Sequence, residues 1–278
     1  MKFRVTEIFR SVQGEGRHTG VPSTFVRLYG CNFTCSSFGM PRGEVSNERN
    51  LINPDDYKTM NDLPLVKTGC DSYVSWDPRF KKFAKWQTED EVARAILDTI
   101  PCVLTTASEN HIVFTGGEPL LGWQSPIAKL LGHQDLSFCQ DITFETNGTQ
   151  KLQKPLIDVL SERFYAEDVT FSVSAKLPCS GHSFEEAIKP DIVKEYADNG
   201  FTYLKFVVST EEDVKDAERA VEMYSKSGLD VPVYLMPVGG VVEAYELNKT
   251  RVAEMALERS WRYSDRLHVS LFGNSWAT

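Results

Sequence analysis

The sequence predicts an α/β fold in which parallel strands alternate with crossover helices. Three observations predict it. Short β-branched and aromatic runs recur along the whole chain, longer segments with helical spacing lie between most of them, and the composition supports a sizeable core. The chain has 278 residues, of which 41% are hydrophobic and 25% charged, ordinary for a soluble globular protein. About six or seven strand–helix units suit a partial (β/α) barrel, and a flat doubly wound sheet is the alternative. Periodicity alone does not separate the two.

The strand-like runs are Ser23 to Leu28 (STFVRL), His111 to Phe114 (HIVF), Ile142 to Glu145 (ITFE) and Val169 to Val173 (VTFSV). Tyr203 to Val208 (YLKFVV), Val231 to Met236 (VPVYLM) and Leu267 to Leu271 (LHVSL) complete the set. Between them, Thr88 to Ile100 (TEDEVARAILDTI) reads as a helix opened by a capping box, with Thr88 as the cap and Glu91 answering it. Its Val92, Ala95, Ile96 and Ile100 share a face. Further helices are expected over Ser125 to Leu131, Leu152 to Phe164, Ser183 to Asn199, Glu211 to Ser227 and Glu243 to Trp261. Phe38 to Trp86 breaks the rhythm: it is rich in Pro, Gly, Asn, Asp and Lys and reads as a long irregular insertion in one domain spanning 1–278. Within it, Tyr73, Trp76 and Phe80 are expected to pack against the barrel.

Charge and composition narrow the function classes. A net charge of −9 repels phosphate backbones and anionic lipid, so nucleic acid is not an expected direct partner. The densest cationic group, Arg79, Lys81, Lys82 and Lys85, reads as a solvated face. The opening MKFRVTEIFRSVQGEG lacks the apolar core of a secretory signal, and no apolar run is long enough to span a membrane. Six cysteines in such a chain do not read as a disulfide framework, and a reducing cytoplasm fits them.

Two of those cysteines, Cys31 and Cys35 of GCNFTC, sit in a glycine-flanked loop after the first strand-like run. Iron–sulfur ligation needs thiolates that converge from such a loop, although taken alone a pair better suits a structural or zinc role, or none. Cys102 and Cys139 are expected in or near the core, and Cys179 lies in a Pro/Gly/Ser loop. Four further motifs follow strand-like runs or flank them. They are SVQGEG at Ser11 to Gly16, FTGGEP at Phe114 to Pro119, FETNG at Phe144 to Gly148, and SVSAK at Ser172 to Lys176. RLHVSLFGN closes the chain at Arg266 to Asn274.

Taken in order, these motifs resemble the 7-carboxy-7-deazaguanine synthases of the radical-SAM superfamily, from Glu7 to Asn274. The family's C-x3-C-x2-C would put its third cysteine at position 38, which is Phe38. Gly69-Cys70-Asp71-Ser72 resembles the family's Cys-Asp-Thr element, so Cys70 is the expected third ligand of a [4Fe-4S] cluster with Cys31 and Cys35. The resemblance implies a product that feeds deazaguanine modification of tRNA or DNA, and the insertion, which resembles that of virus-encoded relatives, suggests DNA without deciding between the two. Closing the longer loop is inexpensive, about 0.6 kcal/mol per doubling of length.

The resemblance implies S-adenosylmethionine held by Gly117, Glu118, Glu145, Thr146, Asn147, Ser174, Ala175 and Lys176, with Ala175 where proline is usual. It implies a pterin substrate, 6-carboxy-5,6,7,8-tetrahydropterin, bound by Val12, Gln13, Gly14, Glu15, Arg27, Thr115 and His268. It further implies Mg2+ at Ser72, which keeps the hydroxyl of the usual threonine. Glu15 offers acceptors to N–H groups of a pterin edge, and Arg27 suits a carboxylate. The implied reaction begins with a 5′-deoxyadenosyl radical taking hydrogen from the substrate's C6. Ring contraction and loss of ammonia then give 7-carboxy-7-deazaguanine. An electron donor such as flavodoxin or ferredoxin and a homodimeric state are also implied. Two other classes compete: a glycyl-radical enzyme activase, which shares the cluster loop and GGE, and a non-catalytic scaffold that has lost its cluster through Phe38.

Overall fold

The structure is a computed structural model that describes residues 2–101 and 110–278. Chain order gives β1 (Lys2–Val12), β2 (Pro22–Leu28), β3 (Lys85–Thr88), α1 (Glu89–Thr99), β4 (His111–Gly116), α2 (Gln124–Leu131), β5 (Asp141–Thr146) and α3 (Lys154–Arg163). There follow β6 (Val169–Val173), α4 (Phe184–Ala187), α5 (Pro190–Asn199), β7 (Phe201–Val208), α6 (Glu211–Lys226), β8 (Val233–Pro237), α7 (Val242–Glu258), β9 (Arg262–Tyr263) and α8 (Leu267–Phe272).

Among the described residues, nine strands form one sheet in the order β3-β1-β2-β4-β5-β6-β7-β8-β9. β1 pairs antiparallel with both β2 and β3. From β2 onward every pairing is parallel. That order decides between the two predicted architectures. A doubly wound sheet reverses direction at a switch point, whereas here β5 to β9 are each added beside the strand before. Right-handed crossovers then send the crossover helices to one face and leave the other free to curl around a site. β3 and β9 remain unpaired edges, so the barrel is partial.

Period-two alternation gives the two faces different chemistry. On the helix side, Phe114, Phe144 and Phe171 stack in a ladder with centroids 5.4 and 5.3 Å apart, continued by Tyr196 of α5 at 4.8 Å. All four rings are fully buried. The intervening residues Thr115, Glu145 and Lys205 face the concave side and line its cavity. The apolar ladder secures the core while the same strands aim polar groups inward.

The helix ends follow local chemistry. Thr88 accepts from the Glu91 amide at 3.3 Å and the Glu91 carboxylate accepts from the Thr88 amide at 2.6 Å, the predicted capping box. Two expectations are corrected. The helix expected over Ser183 to Asn199 is two, because Pro190 has no N–H to continue an α-helical ladder and opens α5 instead. Leu267 to Leu271 is helix α8, not a strand. Its apolar run is too short to reveal its period, and its first amide donates to the Gly14 carbonyl at 3.0 Å rather than to a sheet. β1 and β3, absent from the predicted set, extend the parallel sheet at one edge.

The insertion is a chain of short 3-10 turns with its own core of Ile52, Met60, Leu63, Val66, Tyr73, Val74 and Phe80. Tyr73 and Phe80 are fully buried, while Trp76 is half-buried. Trp276 packs on Tyr73 at 5.8 Å and donates to the Leu63 carbonyl at 2.9 Å, fastening the insertion to the chain's last turn. Cys139 is buried and Cys179 packs half-buried beside the main core, while Cys102 lies outside the described residues. Among the described residues no helix is long and apolar enough to cross a membrane.

Candidate active site

The loop after β2 begins the site. Gly30 donates to the Ser75 carbonyl at 2.7 Å and accepts from the Glu118 amide at 2.7 Å, which clamps the loop between the insertion and the end of β4. Gly117 sits so close that a Cβ there would lie 2.2 Å from the Gly30 carbonyl oxygen and 2.9 Å from Cys31 Cβ. Cys35 takes a left-handed backbone, φ 46°, unusual for a side chain with a Cβ.

At Phe38 the chain departs into the insertion, and the Phe38 carbonyl accepts from the Gly69 amide at 2.7 Å. The insertion is therefore closed at its neck, and the residue after Gly69 is Cys70. Cys31, Cys35 and Cys70 line one cavity of about 220 Å3 and form a contact cluster with Phe33, Phe38 and Ala187. The side chain at position 38 stays at the cavity wall as an apolar ring, with Lys176 Nζ 5.8 Å from its centroid. All three cysteines are free. Burial, reinforced by the neighbouring thiols and Asp71, pushes the Cys35 thiol well up, and burial and Asp71 push Cys70 up to about 12. Three thiols thus gather where little protein charge favours thiolates, a donor set that a cationic iron–sulfur cluster complements. Among the described residues no three or more His, Cys, Asp or Glu groups meet in single-ion geometry.

The strand-end motifs form the adjoining wall. Gln13 Nε2 donates to Glu145 Oε1 at 3.1 Å, and Thr115 Oγ1 donates to Glu145 Oε2 at 2.7 Å, joining β1, β4 and β5. Asn147 Nδ2 donates to Asn32 Oδ1 at 2.9 Å and so reaches the thiol loop. Lys176 Nζ donates to Ser174 Oγ at 2.8 Å. Gly117, Glu145, Thr146, Asn147, Ser174 and Lys176 all line the cavity. Two predicted cofactor residues lie behind it. Ala175 is buried in the main core. Glu118 is fully buried, its carboxylate accepting from the Leu120 amide at 3.0 Å, Thr146 Oγ1 at 2.8 Å and the Asn147 amide at 2.6 Å. Burial outweighs these donors and pushes its carboxyl up to about 7.

On the opposite wall, Val12, Gln13, Glu15, Arg27, Thr115 and His268 line the cavity. Gly14 lies behind it, where a Cβ would come 2.0 Å from His268 Nδ1. Glu15 is the centre of a charge network. It pairs with Lys205 Nζ and, at 3.1 Å, with Arg266 Nε. Burial alone would raise its carboxyl, but Lys205 and Arg266 bring it well below the usual carboxylate range. Arg266 also pairs with Asp71 at 2.7 Å and donates to the Gly239 carbonyl. Arg27 Nε pairs with Glu7 at 2.6 Å, and its Nη1 donates to Ser72 Oγ at 3.3 Å. A bulge in β1 between Val5 and Glu7 sets Glu7 opposite Arg27. Burial, then Arg266, lowers His268 to about 4, so its ring is neutral. Phe9 and Phe25 stack at 5.0 Å and 6° as an apolar side of the same cavity.

Four contributors escaped the sequence reading. Lys205 had a visible signal, a lone cation inside the apolar run YLKFVV, and it is 3% exposed. Arg266 stood in a noted motif without a role. His182, whose Nε2 accepts from the Cys35 amide at 3.3 Å, and Trp76, whose Nε1 donates to Cys70 Sγ at 3.3 Å, carried none.

No family profile matches the chain. A 7-carboxy-7-deazaguanine synthase from Pyrobaculum aerophilum is 30% identical over 277 residues, covering 99% of this chain and 96% of that protein. One from Halobacterium salinarum is 28% identical over 279 residues, covering 98% and 91%. The crystal structure of QueE from Escherichia coli shares the fold, with a TM-score of 0.56 at 19% identity over 96% of this chain and 95% of that one.

Proposed function

This chain belongs to the 7-carboxy-7-deazaguanine synthase family, and from that membership we infer that its cavity carries out the family's ring contraction on 6-carboxy-5,6,7,8-tetrahydropterin. The protein is an enzyme, and its product is 7-carboxy-7-deazaguanine. The observation that carries the reading to residue level is the closed neck of the insertion. The Phe38–Gly69 hydrogen bond brings Cys70 beside Cys31 and Cys35, which supports three-thiolate ligation despite Phe38. It favours this reading over a scaffold that has lost its cluster.

A [4Fe-4S] cluster held by these thiolates, with S-adenosylmethionine, would supply the one-electron chemistry needed to remove hydrogen from the substrate's C6. The chain's own residues bind, orient and shield. Gly117, Thr146, Asn147, Ser174 and Lys176 form the wall assigned to S-adenosylmethionine, and Glu145 joins it to Gln13 of the substrate wall. Glu118 acts from behind by holding the Thr146 and Asn147 loop. Glu15, kept anionic by Lys205 and Arg266, presents acceptors to N–H groups of the pterin edge. Arg27 spends one donor on Glu7 and one on Ser72, and a guanidinium retains others for a carboxylate. Phe9 and Phe25 exclude water from one side.

Mg2+ at Ser72 fits this arrangement poorly: the hydroxyl accepts from Arg27 and the adjacent Asp71 carboxylate is paired to Arg266. A small one-electron donor of the flavodoxin or ferredoxin type, a homodimeric state and a cytoplasmic setting complete the proposal, with the whole chain acting as one radical-SAM domain.

The test is iron and sulfide content with the visible spectrum after anaerobic reconstitution, for wild type and Cys70→Ala, followed by turnover of the carboxytetrahydropterin. About four irons in wild type, a cluster lost or badly impaired in the variant, and deazaguanine product are expected. A wild-type protein that takes up no cluster overturns the radical reading. An intact cluster in Cys70→Ala overturns only the ligand assignment.

A further inference from the structure

We propose that Trp76 tunes the reduction potential of the iron–sulfur cluster through a hydrogen bond from its indole N–H to the Cys70 sulfur. The inference rests on the cluster reading above. Trp76 Nε1 lies 3.3 Å from Cys70 Sγ. Of the three thiols, Cys70 alone takes a side-chain donor among the described residues; Cys31 Sγ accepts from the Phe33 amide at 3.4 Å. The three ligands therefore differ electronically, and the difference is built by the insertion.

The indole is held for this contact. The Arg49 guanidinium covers its ring at 4.5 Å. Arg49 is fixed in turn by Asp77 at 2.6 Å, and Arg79 pairs with the same carboxylate at 2.7 Å. Asp77 is almost fully buried and follows Trp76 directly in the chain, so the clamp and the indole move together. The Trp76 and Asp77 amides both donate to the Tyr73 carbonyl, at 3.3 and 3.0 Å, which sets the backbone. Two other tryptophans point their N–H elsewhere: Trp123 donates to the Tyr29 carbonyl, and Trp276, which also lines the cavity, to the Leu63 carbonyl.

The physical consequence has a definite sign. Reduction adds one electron to the cluster and increases the negative charge on its sulfurs. A donor aimed at a ligand sulfur stabilises that charge, so the reduced state gains and the potential rises. The nearby Arg49 charge acts in the same direction. Trp76 itself is neither oxidised nor deprotonated. It is a positioning and tuning residue, not one that touches substrate.

The experiment is a mediated redox titration of the anaerobically reconstituted protein, followed by EPR, for wild type, Trp76→Phe and Arg49→Gln. Wild type carrying 15N-indole tryptophan is examined by pulsed EPR in the reduced state. We expect a 15N coupling in wild type that weakens in Arg49→Gln, where the indole loses its clamp. In Trp76→Phe, with iron content kept, the reduced-to-oxidised ratio at fixed solution potential falls several-fold. A loaded Trp76→Phe cluster with the wild-type potential overturns the proposal, and so does a wild-type cluster without 15N coupling, however the variants fold. Failure of wild type to take up any cluster overturns the underlying reading as well.

Discussion

Gly117 and Glu15 show how single residues hold the site together. The Cβ of an alanine at 117 would meet the Gly30 carbonyl, a backbone atom that has no flexible end to give way. Gly117→Ala is therefore expected to cost about 1–3 kcal/mol in a denaturant titration and to lower iron uptake, because the thiol loop must shift. Glu15 holds two buried cations, Lys205 and Arg266. Removing a partner from a buried pair leaves charge uncompensated, so Glu15→Ala should destabilise by about 3–5 kcal/mol. Glu15→Gln, which keeps the shape, should cost less but still impair substrate binding; stability and KM measured together check this. Glu15 was legible from SVQGEG, whereas its partners were not. They come from the middle and the end of the chain, and nothing local links them to it.

At the scale of elements, the starts of the parallel strands carry a buried histidine chain remote from the cavity. His111 of β4 bridges Ser23 Oγ of β2 and Thr143 Oγ1 of β5, both at 2.7 Å. Ser23 spends its proton on the Val21 carbonyl, so Nδ1 of His111 must donate to it and Nε2 must accept from Thr143. His18 stacks on His111 at 4.5 Å and reaches Thr170 at 3.1 Å. Burial first, and the neighbouring cations second, lower His111 to about 3 and His18 to about 4 from 6.5. The unfolded chain therefore binds more protons than the folded one below pH 6.5. Stability is complete above that pH and is lost as pH falls towards 4, at up to about 1.4 kcal/mol per pH unit for each histidine. Chemical denaturation at a series of pH values reads this slope, and His111→Gln should flatten it. β2 and β4 to β8 were legible because their apolar content is local, whereas β1, β3 and β9 were not. α8 was not, since a run as short as LHVSLF takes its conformation from what it docks on.

The insertion and the barrel form the largest-scale relationship. The insertion has its own small core, and Trp276 from the last turn completes it. Trp276→Ala removes the ring from Tyr73 and the donor from the Leu63 carbonyl, and a loss of about 3 kcal/mol is expected. Hydrogen exchange should localise it: protection falls around residues 63–80, where Cys70 and Trp76 lie, while β5 to β7 keep theirs. Iron uptake should weaken in parallel. Equal loss of protection across the central strands would show that the insertion is not a separate cooperative unit.

By itself the sequence determined the alternation of strands and helices and the motifs at the strand ends, and it singled out Cys70 as the expected third thiol. Each depends on neighbours within a few residues or on an ordered series of short motifs, and such information survives in one dimension. Only the tertiary structure decided that the strand order is unreversed and the sheet curls. It also decided that Phe38 and Gly69 meet, that Glu118 and Ala175 stand behind the wall, and that Lys205, Arg266, His182 and Trp76 belong to the site. These are meetings between distant segments, governed by charge, hydrogen bonding and excluded volume across the fold, which propensity and periodicity do not encode.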